Sequence, residues 1–178
     1  DASPNFNFSI FESLRGIHVL RQDSNCGYIN NVNCAAQLVT TPYLVTLNQD
    51  TICCPGWLDE MVNEMNRDPL NAIVGPRILG DDLLILEAGG LIFQDGSAAH
   101  RGRTFLADTP RFAYSCNVDY VSGCALLIRA ELWNSLGGLD TRYSPAYYDD
   151  VDLCLRVHAL GLRVRYAPLA CVIHLEGT

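Results

Sequence analysis

The stretch Tyr43–Glu60, YLVTLNQDTICCPGWLDE, decides how the chain is read. Tyr43–Leu47 is a short apolar run, the pattern of a strand covered on both faces in a parallel sheet. The run stops at Asn48-Gln49-Asp50. Pro55 then opens a segment in which Leu58, Met61, Val62 and Met65 fall on one helical face, and Pro69 follows its end. This order puts Asp50 at the carboxyl end of a strand, the edge where open α/β sheets bind ligands. On these residues alone two readings stay open. The triplet is an Asx-type turn, or it delivers a carboxylate to a hard divalent cation whose further ligands are phosphate oxygens.

Upstream, Phe6–Leu14 reads as a short helix ending near Gly16, and Ile17–Arg21 (IHVLR) as a strand. Ser24–Asn33 (SNCGYINNVN) reads as a polar loop entering a helix that runs to Thr40. Downstream, Asn71–Leu79 (NAIVGPRIL) is a further strand, so the first half alternates strand and helix in an α/β pattern. The second half is mixed. GGLIFQDGSAAHRG (89–102) has the form of a hairpin turning at Asp95-Gly96. Val118–Arg129 gives two short strands broken at Ser122-Gly123, and Ala130–Gly138 a helix stopped by Gly137. Tyr147–Gly161 is a helix with Leu153, Val157 and Leu160 on one face, and RVRYAP and CVIHL close the chain as two strands.

A chain of 178 residues, 49% hydrophobic and 18% charged, suits one globular domain with a real core. A net charge of -8 argues against nucleic-acid binding, which needs clustered Lys and Arg, and leaves room for a bound cation. No apolar run approaches the roughly 20 residues that span a bilayer, and no signal-peptide pattern opens the chain. Eight cysteines, at 26, 34, 53, 54, 116, 124, 154 and 171, form no C-x-x-C pair and no zinc-like spacing. They read as free thiols of a reducing compartment rather than a disulfide framework.

Four further groups of residues could carry chemistry. Asp149, Asp150 and Asp152 begin a helix, where acids favour the positive end of the helix dipole. One Asp suffices for that. Three within four residues repel one another and raise the pKa of at least one, which beside Tyr147 and Tyr148 suits a general base. His174 ends an apolar strand, either as a satisfied residue or, if the fold sets it beside Asp50, as a ligand. Asn25, Gly27 and Asn33 offer amides and a close backbone approach to a ligand, or an ordinary loop and cap. Ser122-Gly123 is a bulge or a place where backbone nears a ligand.

Taken in order, DASPN (1–5), SNCGYINNVN, LNQDT with PGWLDE, EAGGLIFQDGSA (87–98), VDYVSGCALLIRAELWNSLGGLD (118–140), YYDDVDLCLR (147–156) and VIHLEG (172–177) resemble the family 2 glycosyltransferases of the GT-A fold, in particular the bacterial rhamnosyltransferase-like branch. The resemblance covers almost the whole chain. It implies an α/β, Rossmann-like nucleotide-diphospho-sugar transferase with a mainly parallel central sheet flanked by helices. It implies a single domain over 1–178, with a nucleotide-binding half (1–75), an acceptor and catalytic half (76–178), and a first strand and nucleotide-binding loop lying before residue 1.

The resemblance also implies roles. Asp50 binds the Mg²⁺ or Mn²⁺ that bridges the donor diphosphate, with His174 as a further metal or diphosphate ligand. Asn48 stands where many members have Asp. Asp150 is the catalytic base, with Asp149 where the family more often has Glu, and Asp152 and Arg156 hold that segment together. Asp1, Asn25, Gly27, Asn33 and Asn48 bind the nucleotide or donor, Gly123 lines the donor-sugar side, and Trp57 packs the helix after the metal motif. The implied reaction is inverting transfer from a nucleotide sugar to a saccharide or lipid-linked saccharide, in cell-surface polysaccharide synthesis. Its setting is cytoplasmic or the inner face of the membrane, any membrane association residing in segments outside this chain. Two alternatives stand beside it. One is a truncated, inactive nucleotide-sugar-binding remnant. The other is a different metal-dependent phosphate enzyme, such as a nucleotidyltransferase or phosphodiesterase, in which Asp50, Asp149–Asp152 and His174 would hold two metals about 3.5–4 Å apart.

Overall fold

The computed structural model describes Phe11 and residues 14–175; Asp1, the DASPN segment and most of the expected Phe6–Leu14 helix lie outside them. The described chain begins with helix α1 (Gly27–Ala36), strands β1 (Tyr43–Leu47) and β2 (Thr51–Cys53), and helix α2 (Trp57–Asn66). Strands β3 (Asn71–Leu79), β4 (Ile85–Glu87), β5 (Gly90–Ile92), β6 (Ala98–His100), β7 (Cys116–Asn117) and β8 (Ala125–Arg129) follow. Helices α3 (Ala130–Leu136) and α4 (Asp149–Ala159) and strand β9 (Arg163–His174) complete it.

The main sheet runs β1-β8-β3-β9-β2, with β4 on β3 and β7 on β9. The α/β class expected from the sequence is present, but the sheet is mixed rather than mainly parallel. Strands β1, β3 and β9 share a direction, yet only β3 and β9 are parallel neighbours, because β8 enters antiparallel between β1 and β3. It pairs with the whole of β1, from Tyr43↔Arg129 to Leu47↔Ala125. Alternation of strand and helix along a sequence carries no record of such an insertion.

Neighbouring residues on the central strands serve opposite faces, as the period of two requires. Ile73, Leu126, Ile128 and Tyr166 join the core under α1, α3 and α4, with Ile29, Trp133, Leu153 and Val157. Val74, Leu127 and Ala167 join a second cluster with Met61 and Met65 of α2. Trp57 packs here too, while Leu58, expected on the buried face, is 41% exposed. The helical stripe is therefore anchored one residue earlier than the apolar spacing suggests.

A buried ion pair fastens α2 to β9. Arg165 donates to Glu64 through Nε and Nη2 at 2.8 and 2.7 Å, and Glu64 is 3% exposed. Removing one partner of a buried pair strands the other charge in a poorly solvated place. Glu64→Ala is expected to lower unfolding free energy by about 3 kcal/mol in urea denaturation; a loss under about 1 kcal/mol would place this pair with the weak surface bridges.

Three sequence expectations meet a different outcome, the first being Val118–Val121, which makes only an isolated bridge from Tyr120 to Gly90 rather than a strand ahead of β8. Ile17–Arg21 is not in strand conformation and no described strand runs beside it; Ile17 is 43% exposed while Val19 and Leu20 are half-buried. The closing RVRYAP and CVIHL segments are one strand, β9, not two. Its register on β3 jumps from Pro76↔Ala167 to Arg77↔Cys171, so Pro168 sits where no ladder hydrogen bond is asked of it. The β5–β6 hairpin forms as expected, with Gly96 at φ 83° and the Asp95 carboxylate accepting from Ser97 N–H at 3.0 Å. All eight cysteines are free.

Candidate functional site

Strand β1 ends at Leu47, and Asn48 N–H donates to the Cys124 carbonyl at 2.9 Å, turning the polar triplet beside the start of β8. The chain then doubles back as β2, which pairs antiparallel with the end of β9. Thr51 lies opposite His174, and Asp50 accepts Leu175 N–H on its carbonyl at 3.0 Å. That register brings Asp50 Oδ1 to 3.2 Å from His174 Nε2, with side chains 16% and 19% exposed. Two residues far apart in sequence thus share one corner, the condition under which His174 gains interest as a ligand.

The second corner is the start of α4. Tyr147 and Tyr148 hold left-handed backbone, φ 79° and 65°, and Tyr148 is the last residue before the helix. Asp150 Oδ2 accepts Gly123 N–H at 3.0 Å, and Oδ1 accepts Val151 N–H at 2.8 Å. Asp149 is buried, and burial first, then the charge of Asp150, holds its carboxyl above the usual carboxylate range. The upward shift expected of this cluster falls there. Asp152 binds Arg156 Nε at 2.7 Å, and Arg156 also donates to the Leu136 and Gly138 carbonyls, locking α4 against the end of α3.

Gly123 joins these elements. Its carbonyl accepts from Thr46 Oγ1 at 2.8 Å and Tyr28 Oη at 3.4 Å, while its N–H serves Asp150. A Cβ there would lie 3.1 Å from Tyr28 Oη, so a larger residue crowds the junction. A cavity of about 510 Å³ opens beside it, bringing together Asn48, Gly123, Asp149 and Asp150 with Tyr28 and His100. Asp50 and His174 are not in its lining, although Asn48 is only two residues from Asp50; His174 borders a smaller cavity of about 240 Å³ with Asp81, Asp82 and Arg103.

The α1 residues are placed differently. Asn25 Oδ1 accepts Gly27 N–H at 2.9 Å, an Asx-type turn at the helix start. Asn33 uses both ends of its amide on Leu139, donating to the carbonyl at 2.8 Å and accepting the N–H at 2.9 Å. Neither lines the 510 Å³ cavity.

Sequence reasoning gave no role to Glu87 or His100. Glu87 is 2% exposed, accepts Ser122 N–H at 3.0 Å and faces His100 Nδ1 at 2.8 Å. The available signal was a Glu ending an apolar run, since a buried carboxylate demands partners. The Glu87 carboxylate 2.8 Å away raises the His100 pKa above its ordinary value. A folded-state pKa above the unfolded value of about 6.5 adds stability that is full below that pH and is lost as pH rises through the folded pKa. Denaturation from pH 6 to 8.5 is therefore expected to show falling stability, with Glu87→Gln flattening the slope; an unchanged slope in that variant would assign the effect to other groups.

Among the described residues, no group of three or more His, Cys, Asp and Glu side chains is arranged to hold a metal. Asp50 and His174 do offer a carboxylate oxygen and an imidazole nitrogen at one corner. That donor pair suits Mn²⁺ or Mg²⁺ whose remaining positions go to ligand oxygens and water.

The fold is of the GT-A type: the structure of GalNAc-T7 with UDP, GalNAc and Mn²⁺ superposes with a TM-score of 0.68 at 18% identity, over 89% of this chain and 32% of that one. The model of Glycosyl transferase family 2 matches residues 1–134. The chain belongs to glycosyltransferase family 2. It is 33% identical over 151 residues to the O-antigen biosynthesis protein RfbC of Myxococcus xanthus, covering 82% of this chain and 12% of that protein. It is 27% identical over 143 residues to the N-acetylglucosaminyl-diphospho-decaprenol L-rhamnosyltransferase of Mycobacterium tuberculosis, covering 74% of this chain and 46% of that one. The chain thus spans less than half the length of either relative, and α4 and His174 lie beyond the segment matched by the family model.

Proposed function

We propose that this domain transfers a glycosyl group from a nucleoside-diphosphate sugar to a hydroxyl of a saccharide or lipid-linked saccharide, with inversion, in the building of cell-surface polysaccharide. The observation that carries the reading is the two-corner site: Asp50 and His174 3.2 Å apart at one edge, and Asp150 on the wall of the cavity that reaches Asn48. Family membership and the names of the relatives support it.

Asp50 and His174 would hold Mn²⁺ or Mg²⁺, which when bound supplies Lewis-acid stabilisation of the charge on the departing diphosphate. The protein's own residues do the rest. Asp150, held by the N–H groups of Gly123 and Val151, takes the proton of the attacking hydroxyl. Attack from the face opposite the leaving group inverts the anomeric carbon. Buried Asp149 backs Asp150 and Gly123 keeps the donor-sugar side narrow, with Asn48, Asn25 and Gly27 serving the nucleotide and Asn33, its amide engaged by Leu139, positioning α1. The nucleotide-binding work falls to residues 1–75 and the acceptor and base to 76–178. No described helix is long and apolar enough to cross a membrane; we place the reaction at the cytoplasmic side, where nucleotide sugars are supplied.

The two-metal alternative has less support, because the described residues do not gather Asp50, His174 and the Asp149–Asp152 group into one cluster. The test is release of nucleoside diphosphate from a panel of UDP-, GDP- and dTDP-sugars with Mn²⁺. Release from at least one donor is expected. No binding and no release from any donor would leave the inactive remnant as the better reading.

A further inference from the structure

Strand β4 delivers Glu87 into an interior from which solvent is excluded, where a carboxylate is costly without partners. Two groups from separate segments meet it: Ser122 N–H donates to Oε1 at 3.0 Å, and His100 Nδ1 lies 2.8 Å from Oε2, an ion-pair contact when the ring is protonated. Gly89 and Gly90 make the approach possible, since a Cβ on either would collide with Val118 or Tyr120. Tyr120 flanks the imidazole at 5.8 Å, tilted by 54°. The ring of His100 is therefore set by a buried acid, a close-packed hairpin and an aromatic neighbour, and with Nδ1 committed, Nε2 is the nitrogen left for a ligand.

His100 lines the same cavity as Asp150. Of the residues lining it, His100 alone can carry positive charge, against the carboxylates of Asp149 and Asp150. Such a wall is poorly suited to a diphosphate. It suits a neutral polyhydroxyl molecule, because a hydroxyl both donates and accepts and so satisfies Nε2 as a lone pair or as an N–H. The base must also face the acceptor, which makes Asp150's cavity the acceptor's side.

We propose that His100, aimed by Glu87, binds the acceptor saccharide, its Nε2 hydrogen-bonded to a sugar hydroxyl in the cavity beside Asp150. The inference rests on the glycosyl-transfer reading and adds the wall that receives the acceptor.

The probes are the methyl glycosides of glucose, galactose, mannose, rhamnose and N-acetylglucosamine, followed by saturation-transfer NMR on the 178-residue chain. At least one is expected to receive saturation from the wild-type protein. His100→Leu should weaken that glycoside about tenfold, as loss of one hydrogen bond implies, and His100→Gln should recover much of the loss. Circular dichroism and a melting curve of each variant report folding, and UDP, GDP and dTDP titrated with Mn²⁺ report the donor side, which should be unchanged. A merely structural His100 would lower the melting temperature and leave glycoside affinity alone. Saturation of no glycoside by the wild type, equal binding by His100→Leu, or loss of nucleotide binding in that variant overturns the proposal. Absence of any nucleotide binding by the wild type would instead strike the glycosyl-transfer reading itself.

Discussion

Asp150→Asn is expected to reduce sugar transfer by on the order of 10²-fold or more while nucleotide-sugar affinity stays within about twofold of wild type. The substitution keeps the size of the side chain and removes its ability to take a proton. One amide oxygen can still accept the Gly123 N–H now 3.0 Å from Oδ2. The new NH₂ then meets the Val151 N–H that Oδ1 accepts at 2.8 Å, so a small local adjustment is expected at the first turn of α4. The rest of that turn is held independently, by the Asp152–Arg156 pair and the Arg156 bonds to α3. A large fall in kcat with donor affinity kept would identify proton removal as the lost function. Near-normal turnover would move the base elsewhere, with Asp149 the first suspect because it shares the cavity wall.

Asp50→Ala is expected to abolish metal-dependent nucleotide binding, weakening it by about 10²-fold or more, equivalent to ~2.7 kcal/mol. Only His174 would remain at that corner. The fold should survive, because the backbone bond from Leu175 to the Asp50 carbonyl and the β2–β9 ladder do not use the side chain. Calorimetric titration of UDP, GDP and dTDP with and without Mn²⁺ measures the effect, and unchanged affinity would remove Asp50 from metal binding. Asn48 carries no charge to offer a cation, so Asn48→Ala should cost far less than Asp50→Ala.

Much of the fold was legible because its signals are local. A short, largely apolar run ending in a polar triplet marks β1 to the residue, and NAIVGPRIL marks β3. Asp95-Gly96 marks the hairpin, and Gly137, in left-handed conformation at φ 76°, marks the end of α3. What escaped depends on partners distant in sequence. The antiparallel entry of β8 is a fact of strand order. Ile17–Arg21 has strand-forming residues, yet no described strand runs beside it. Pro168 looked like a break, and the register jump on β3 absorbs it.

The site divides the same way. The acids at Asp149–Asp152 announce themselves by mutual repulsion, whereas Asp50 and His174 meet only through the β2–β9 register. The polar side chain of Asn33 reads as a ligand group in sequence, and its occupation by the Leu139 backbone is visible only in three dimensions. Glu87 and His100 lie thirteen residues apart on strands joined through a hairpin turn, and their shared task depends on Ser122 from a third segment.

The central claim, that a nucleoside diphosphate and its metal sit at the Asp50–His174 corner within reach of Asp150, is tested most directly by one NMR titration. Mn²⁺ is added with UDP, GDP or dTDP to the ¹⁵N-labelled protein, and the amides broadened by the paramagnetic ion are mapped. With at least one nucleotide, the first signals lost are expected to be those of Asn48–Thr51 and His174-Leu175, with Gly123 and Asp150 affected next. Broadening centred anywhere else, or none with any of the three nucleotides, would contradict it.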